Sequence, residues 1–423
     1  MDHFTETTRT GYGSNIGNSF KGIFFGIVLV IVSIGLLWWN EGRSVDQATA
    51  LKEMQNNIVT LPNTTYDSQY NNKAVLAQGN VKPVGVVQDP IFGIKSPVLI
   101  LKRKAQMYQW KEKTSTHTEE KMGGSTETTT TYDYVKDWSS TEISSSSFKH
   151  PHGHTNPPMA YKSESYVSTA TMGDFQLSKN IVGQFSPNQS FGDLTSLPKQ
   201  IGDVTNHGSF LYKGINPSTP QIGDIKITYY YAGGGDYSIA AKLNNKNIVP
   251  YTTQNGKNFV FIRSGIVSAE QIFKEEHDAN AVLTWILRAV GLLIMFIGFN
   301  TILRPLVVLG NVIPFIGSII GAGTGLISGI LTLILGSFVI ALAWFASRPL
   351  LSLSIIGIGV GIAIMLSIKG KSKVAAMGST PPPSPNSRDD VAPPSRVETP
   401  IQEENNTTPP PSPNSGNMPP PRG

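Results

Sequence analysis

Apolar residues are concentrated in two clusters near the two ends of the chain, and a long mixed segment lies between them. The first cluster, from Gly22 to Trp39, contains no charged side chain. Roughly 20 apolar residues cross the hydrocarbon core of a bilayer, so this cluster predicts a transmembrane helix over residues 22–39. Residues 1–21 then form an N-terminal segment outside the membrane.

The first apolar run ends abruptly in polar residues. The last two residues of the run are Trp38 and Trp39. Tryptophan rings prefer the headgroup level of a bilayer, so we expect this end of the helix at the interface. A cleaved signal peptide is the alternative, because Ala48-Thr49-Ala50 forms an A-x-A site. Three charged residues separate that site from the run, and the run is long for a signal peptide, so we favour a retained anchor. The predicted junction residues are Trp38, Trp39, Asn40, Glu41, Gly42 and Arg43.

The second apolar cluster is longer and predicts three further helices. Glycine and proline interrupt its part from 304 to 321, which is also short for a span, so we expect a re-entrant or interfacial segment there. Glycines spaced every four residues, as at Gly321, Gly325 and Gly329, permit close helix packing. The predicted spans are 281–303, 322–346 and 350–368, with a polar turn at Arg348 and Pro349 before the last.

The distribution of basic residues predicts the orientation. With four spans, both termini lie on the same side as Arg304, and the lysines after residue 368 join the basic residues before residue 22 there. The positive-inside rule makes that side cytoplasmic. We therefore expect a cytoplasmic N-terminus (1–21), a cytoplasmic tail (369–423) and a lumenal or periplasmic segment (40–280).

The segment between the membrane clusters has a mostly β pattern. Two runs, beginning at Gln106 and Thr128, alternate with aromatic residues on one face, and Gly123-Gly124 lies between them, which predicts a hairpin. Ser268 and Gln271 have capping-box spacing and predict a helix that leads into the second span. The predicted fold is an α+β membrane protein with four transmembrane helices, one N-terminal and three C-terminal. A large β-rich domain is inserted between the first and second.

Composition excludes several functions. Charged residues make up 15%, against roughly 25% in an average soluble protein. The net charge of +5 forms no dense basic stripe, so we expect no nucleic-acid binding. The chain has no cysteine, which excludes thiolate metal sites and cysteine nucleophiles. It also has no GxSxG, P-loop or HExxH motif, so we expect neither an enzyme nor a cofactor.

Two other motifs bear on the large segment. The string from His150 to His154, HPHGH, contains metal-binding side chains but lacks the further ligands that a structural zinc site needs, so we expect no metal. Asn63 and Asn188 begin N-glycosylation sequons, which would be used only in a eukaryotic secretory membrane. Asn405 and Asn406 also match but lie on the predicted cytoplasmic tail and should stay bare.

Several short strings occur in a characteristic order. They are WNEGR after the first span, MYQW at Met107 to Trp110, the strand Tyr132 to Trp138, YYAG at Tyr230 to Gly233, RAVGLLIMFIGFN at Arg288 to Asn300, and RPL at Arg348 to Leu350. In this order and spacing they resemble the transmembrane protein 43 family, also called LUMA. The resemblance covers residues 19–368, and the proline-rich tail lies outside it.

The resemblance implies a four-span protein with cytoplasmic termini and a lumenal domain. In eukaryotes, such proteins are expected in the endoplasmic reticulum and the nuclear inner membrane, where they self-associate and help to organise other membrane proteins, including emerin and lamins. In a bacterium, the same chain would lie in the cytoplasmic membrane with a periplasmic domain. The resemblance implies no enzymatic activity.

Within these strings we single out the membrane-edge residues Arg288, Asn300, Arg348 and Pro349. Arg288 lies near the start of its span. Its side chain either extends to the interface or pairs with Glu41, whose helix end is on the same side of the membrane. We favour extension to the interface, since arginines near helix ends usually adopt it.

The tail from Lys369 is rich in proline and serine, and TPPPSPNS occurs twice in it. Such a composition does not fold and favours polyproline II. It serves either as a flexible solubilising tail, which we favour, or as a docking strip for a proline-motif-binding module.

These observations predict a multi-pass membrane scaffold. It would use the lipid bilayer as its support, self-associate as a homo-oligomer and hold other membrane proteins through the β-rich domain. The alternative is an oligomeric channel or transporter that uses the broken segment 305–321.

Overall fold

A computed structural model of the chain describes residues 2–347. Its helices are α1 (Tyr12–Asn57), the short α2 (Lys179–Val182), α3 (Ala269–Gly310) and α4 (Pro314–Ser347). Within residues 2–347, three helices are long and apolar enough to cross a membrane, namely α1, α3 and α4. The predicted count of four spans is thus not supported. The predicted span 350–368, Arg348, Pro349 and the tail 369–423 lie outside the described residues.

Helix α1 is much longer than the span predicted within it. It has 46 residues, which at 1.5 Å per residue is about 69 Å. The apolar run 22–39 is its middle part, and the helix continues without a break to Asn57. Residue 40 is therefore not the end of the helix, and the predicted end of the membrane span there stays a prediction. The helix continues because Ala50, Leu51 and Met54 form an apolar stripe that the β-rich domain buries completely.

Helices α3 and α4 form a helical hairpin with a short turn. The Ser268 hydroxyl accepts a hydrogen bond from the Gln271 N–H, so the predicted cap is confirmed, and α3 runs through the predicted span 281–303 to Gly310. The predicted segment 304–321 is not a separate unit. It is divided between the end of α3, the turn 311–313 and the start of α4. Pro314 begins α4, where its missing N–H costs nothing.

The bundle is held by close approach of α1 to α3, which run in opposite directions. A Cβ on Gly26 would lie 2.7 Å from the Gly298 carbonyl oxygen, and a Cβ on Gly298 would lie 2.8 Å from Val30 Cγ2. In α4, by contrast, Gly325 has nothing within 4 Å and Gly321 has only ordinary contacts. In α4 the close contact is at Gly336, where a Cβ would overlap Leu292 Cδ2. The glycines that permit close packing are therefore single residues on each helix, not the spaced glycines of α4.

The strands of residues 2–347 form two large and two small sheets. In chain order they are β1 (Asp2–Thr10), β2 (Val59–Thr60), β3 (Ala74–Val84), β4 (Val87–Gln88), β5 (Lys95–Ser96), β6 (Ile100–Glu120), β7 (Thr126–Ser139), β8 (Glu164–Val167), β9 (Thr169–Met172), β10 (Phe175–Leu177), β11 (Gln189–Ser190), β12 (Gln200–Ile201), β13 (Val204–Asn206), β14 (Leu211–Lys213), β15 (Ile225–Ala232), β16 (Gly235–Asn244), β17 (Asn247–Val249), β18 (Tyr251–Thr252), β19 (Asn258–Phe259) and β20 (Phe261–Ser264).

The first large sheet has the order β1-β7-β6-β15-β14-β13-β12, and β8 and β11 pair with β6 and β15. The second has the order β2-β3-β9-β10-β17-β16-β20. A further pairing of β3 with β16 makes the pairings β3-β9-β10-β17-β16 return to their start, so this sheet closes into a small barrel. The predicted β-rich domain is confirmed.

The ends of α1 and α3 form part of the core of this domain. One buried apolar cluster contains Leu51 and Met54 from α1, Phe273 from α3, and Leu76 and Phe261 from the closed sheet. The membrane helices therefore enter the domain as core elements and are not joined to it by a flexible linker.

The predicted hairpin is confirmed and is unusually long. β6 and β7 pair from Met107↔Ser139 to Glu120↔Thr126, and Gly123 and Gly124 take positive φ angles in the turn. We call β1, β7 and residues 107–120 of β6 the ribbon. It projects from the domain toward the opposite end of the bundle, where Asn15 of α1 donates a hydrogen bond to the Gly124 carbonyl.

The N-terminal strand belongs to this ribbon. β1 pairs with β7 along its whole length, from Asp2↔Tyr134 to Thr10↔Thr126. The sequence placed residues 1–21 and the hairpin on opposite sides of the membrane. Because β1 and β7 lie side by side, residues 2–10 and 126–134 are at the same level and cannot be on opposite sides. If the domain and the start of α1 are on opposite sides, the ribbon that links them passes the depth of the bilayer.

Exchange of Gly298 for alanine tests the close crossing. We expect Gly298→Ala to lower the free energy of unfolding by about 1–3 kcal/mol, because the added methyl group overpacks the contact with Gly26. Gly35→Ala on the open side of α1 is the matched control and should stabilise by up to about 1 kcal/mol. Thermal unfolding in detergent, followed by tryptophan fluorescence, measures both. Equal effects would show that the crossing is not tight.

Candidate functional site

The strongest polar contact between the membrane helices is an ion pair of α1 with α3. Arg288 Nε lies 2.7 Å from Glu41 Oε1, and Nη2 lies 2.8 Å from Oε2. The Glu41 side chain is only 3% exposed and that of Arg288 20%. The guanidinium also lies 4.7 Å from the ring centroid of Trp285. The favoured prediction of a side chain that merely extends to the interface was wrong, and the ion pair is what the structure contains.

A second arginine lies one turn nearer the domain. Arg43 Nη1 donates to Asn280 Oδ1 at 3.0 Å, and Nη2 donates to Thr284 Oγ1 at 2.9 Å. Nη2 also donates to Asn40 Oδ1 at 3.3 Å, while the fully buried Asn40 donates to the Thr284 carbonyl. Within residues 2–347 no ion pair includes Arg43, so neutral oxygens surround its charge.

The backbone of α1 is joined to α3 at the same level. Asn280 Nδ2 donates to the Ser44 carbonyl at 3.0 Å, and the hydroxyls of Thr284 and Ser44 lie 2.9 Å apart. Hydrogen bonds to charged groups in a dry setting are stronger than neutral ones, so this level of the bundle is rigid. We call the set the junction cluster: Asn40, Glu41, Arg43, Ser44, Asn280, Thr284 and Arg288.

Other predicted junction residues lie around or away from this cluster. Trp38 and Trp39 are 45% and 57% exposed, as expected for rings that face the headgroups. A Cβ on Gly42 would meet no atom within 4 Å, so this glycine serves only as part of the helix. Asn300 bonds back to the Phe296 carbonyl of its own helix at 3.2 Å and does not join the cluster. Arg348 and Pro349 lie outside the described residues.

The predicted glycosylation sites lie on the surface, whereas His154 of the predicted surface loop is buried. Asn63 and Asn188 are exposed, so both sequons are accessible, and their glycosylation stays a prediction. The histidines of the HPHGH string contact the N-terminal strand: His154 Nε2 lies 3.0 Å from Asp2 Oδ2, and the His150 ring stacks on Phe4. In residues 2–347 no group of three or more histidines or carboxylates could hold a metal ion.

Sequence reasoning missed a buried ionic network in the domain. Arg103, 2% exposed, donates to both oxygens of Asp89, which is fully buried. The Tyr229 hydroxyl also donates to Asp89, at 2.6 Å, and Arg103 reaches Glu164 at 3.0 Å. A signal was present in the sequence: Arg103 shares the apolar face of β6 with Leu101, Ala105 and Met107, and an arginine on such a face requires a buried partner.

The network shifts the protonation equilibria of its members. Burial raises the pKa of Tyr229 far above its usual range, and the hydrogen bond to Asp89 raises it further. Burial alone would lower the pKa of Arg103, but the hydrogen bond and the charge of Asp89 outweigh it and raise that pKa. Elsewhere in the domain, burial and a hydrogen bond to Asp203 raise the pKa of Tyr161 to about 12. At neutral pH, Tyr229 and Tyr161 therefore stay neutral and Arg103 stays charged.

Comparison with known proteins decides the family. The family described as Transmembrane protein 43 matches residues 107–349, more than half of the 423 residues. The chain belongs to the transmembrane protein 43 family. The resemblance seen in the sequence strings is thereby confirmed, and the chain is an integral membrane protein with several candidate spans.

Full-length relatives extend the similarity over most of the chain. Transmembrane protein 43 of Homo sapiens is 29% identical over 366 residues, which are 83% of this chain and 90% of the relative. The Mus musculus protein is 28% identical over 363 residues, 82% of this chain and 89% of the relative. The homolog of Drosophila melanogaster is 27% identical over 344 residues, 78% of this chain and 90% of the relative. No solved structure matches the chain.

Charge reversal tests the pair of Glu41 with Arg288. We expect Glu41→Arg and Arg288→Glu each to lower the free energy of unfolding by about 3–5 kcal/mol, since each places like charges together in a buried site. The double exchange restores opposite charges and should recover most of the loss. Thermal unfolding of the purified protein in detergent measures this. A double variant no better than the single ones would remove the pair as the stabilising contact.

A neutral substitution tests the buried network. Asp89→Asn leaves the Arg103 charge buried without its main carboxylate, and we expect a loss of about 3–5 kcal/mol. Asp137→Asn, in an exposed pair with Lys111, is the matched control and should cost at most about 1 kcal/mol. Urea unfolding of the full chain in detergent compares them, and similar losses would contradict a structural role for the network.

Proposed function

We propose that this member of the transmembrane protein 43 family is a membrane scaffold that presents its β-rich domain at a fixed orientation to the bilayer. The observation that carries the proposal is the continuity of α1 and α3, whose ends form part of the domain core. A domain joined to the membrane in this way cannot turn independently. Partners bound to it are therefore held in a defined position relative to the bundle.

The proposal includes self-association and binding of other membrane proteins, and it is one of binding rather than catalysis. In a eukaryotic cell, we propose the endoplasmic reticulum and nuclear inner membrane as its location, with emerin- or lamin-like partners as the family resemblance implies. In a bacterial cell, the location would be the cytoplasmic membrane with a periplasmic domain.

The alternative of a channel or transporter built on a broken membrane segment has less support from the structure than the scaffold. It required non-helical backbone between residues 305 and 321 to line a binding site. In the structure these residues are helical on both sides of the short turn 311–313. No separate broken helix is present in residues 305–321 to supply such a site.

An insertion experiment tests the fixed orientation. Short runs of glycines inserted into both membrane helices, between Asp46 and Gln47 of α1 and between Asp278 and Ala279 of α3, separate the domain core, which contains Leu51 and Phe273, from the junction cluster. Proximity labelling from the domain of the full chain should then lose the set of proteins that the unaltered protein labels. The structural reason is that the inserted glycines let the domain turn freely about the bundle.

The matched control places the same glycines after Ile215, an exposed loop residue with 91% of its surface accessible. This variant should label the same set as the unaltered protein. If the paired insertions after Asp46 and Asp278 also leave the labelled set unchanged, while the protein remains folded and in the membrane, fixed orientation plays no part in the function.

A further inference from the structure

The ribbon lies beside the part of the bundle that is made for lipid. At its base, the Tyr108 N–H donates to the Asp224 carbonyl in the domain, and at its tip, the Gly123 N–H donates to the Val312 carbonyl. From Met107 to Glu120, β6 extends about 43 Å at 3.3 Å per residue. The stretch of α1 from Asn15 to Ser44 extends about 44 Å. The ribbon therefore runs past the apolar segment 22–39 from one end to the other.

Both long edges of the ribbon lack a strand partner within residues 2–347. β1 pairs only with β7, and β6 beyond Met107 pairs only with β7. Tyr108 and Trp110 turn their N–H groups away from β7, toward Asp224 and Asn156. In an antiparallel ladder, every second residue turns its backbone N–H and C=O groups away from the paired strand. On β6 these outward groups, which have no partner, belong to Glu112, Thr114, Thr116, Thr118 and Glu120.

Lipid cannot satisfy these groups. Unpaired backbone N–H and C=O groups in hydrocarbon cost several kcal/mol each, so β structure crosses a bilayer only as a closed barrel. The side chains lead to the same conclusion, since both faces of the ribbon are mainly polar toward its tip. One face, which we call the threonine face, carries Thr8, Thr10, Thr114, Thr116, Thr118, Thr126, Thr128 and Thr130 together with Glu6, Glu112 and Glu120. Nearer the domain, the same face also carries the rings of Phe4, Trp110, Tyr132 and Tyr134. The other, which we call the charged face, carries His3, Arg9, Lys111, Lys113, His117, Glu119, Glu127, Asp133 and Asp137.

The two faces have different neighbours. Thr10, Thr118 and Thr128 line a cavity of about 310 Å³ together with Ser19 of α1 and Arg304 of α3. Near the tip, the threonine face therefore looks toward the helices and the charged face looks away from them, whereas nearer the domain the threonine face packs on His150 and His154. Side chains on the charged face are exposed: the exposed fractions of Arg9, His117 and Glu119 are 71%, 77% and 54%.

We propose that further copies of this chain close the two edges: the outer edge of β1 in one copy pairs in parallel with the outer edge of β6, residues 111–120, in the next. The ribbons then form one closed β-barrel inside a ring of helices, with the charged faces around a water-filled interior. Each copy contributes three strands. This proposal deepens the self-association that is part of the proposed function and rests on it.

A second copy fits these edges for geometric reasons. β1 and β6 run in the same direction because both are antiparallel to β7, and they reach the same levels of the ribbon. They lie on opposite sides of it, so one edge of each copy can meet the other edge of the next, as in a cyclic ring. Arg9 and Glu119 both pair with Glu127, so the contact brings opposite charges to one level.

Because the chain has no cysteine, introduced cysteines can report the contact without background. The full chain is co-expressed in two differently tagged forms, one with Thr5→Cys and one with Lys113→Cys, Ser115→Cys or His117→Cys. Membranes are treated with a short bis-methanethiosulfonate reagent. We expect a covalent dimer that carries both tags, with a yield that peaks at one of the three positions and thereby gives the register. The double variant Thr5→Cys/Ser115→Cys should give a ladder that ends at the size of the ring.

The matched control pairs Thr5→Cys with Ile31→Cys, which lies at membrane depth on the lipid-facing side of α1 and is 61% exposed. It should give no covalent dimer. A charged, membrane-impermeant thiol reagent should label Ser115→Cys in the assembled protein from the aqueous phase but should leave Ile31→Cys unlabelled.

An edge-blocking variant tests the same contact without cross-linking. Thr116→Pro removes an outward N–H from β6 but none of its bonds to β7, and edge strands tolerate proline at such positions. We expect it to convert the oligomer to the monomer in mass photometry of the detergent-solubilised protein, whereas Thr116→Ala should leave the oligomer intact.

The outcomes separate this inference from the proposed function. One outcome would contradict the barrel alone: an oligomer that gives no doubly tagged dimer at any of the three positions and that persists in Thr116→Pro. Something other than a second ribbon would then cover the edges, while self-association would still hold. A protein that is monomeric in membranes and in detergent would overturn both.

Discussion

The ion pair between Glu41 and Arg288 fixes the register of α1 against α3, and much of the architecture depends on that register. Toward one end of the helices, it sets Gly26 opposite Gly298, where no side chain could fit. Toward the other, it sets Leu51 and Met54 beside Phe273 in the domain core. A slip by one helical turn would break both contacts. The surrounding amides and hydroxyls of the junction cluster add hydrogen bonds that only this register satisfies.

Local patterns in the sequence predicted local structure well. The Ser268 cap, the hairpin around Gly123 and Gly124, and the apolar middle of α1 follow from spacing within a few residues, and the structure contains all three. The junction was found for the same reason: WNEGR follows directly on an apolar run. Structural features that depend on the pattern within one segment could therefore be predicted.

Contacts between distant segments could not be predicted in this way. The partner of Arg288 is 247 positions away, and proximity to a helix end favoured the wrong alternative. β1 carries threonines and charges without an apolar face, so nothing in its pattern shows that it pairs with β7. Close helix packing was predicted for the regularly spaced glycines of α4, but it occurs at isolated glycines of three helices, Gly26, Gly298 and Gly336. Arg103 was the exception, since its place on an apolar strand face was visible and only its partner was not.

The length of α1 has a mechanical consequence. A bilayer core is about 30 Å thick, less than half of the roughly 69 Å that this helix spans. When the thickness of a bilayer changes, a transmembrane helix adjusts its tilt to keep its apolar part in hydrocarbon. Here the same continuous helix extends into the core of the β-rich domain, so a change in the tilt of the helix must rotate the domain with it. The local thickness of the membrane is thereby converted into the angle at which the domain meets its surroundings.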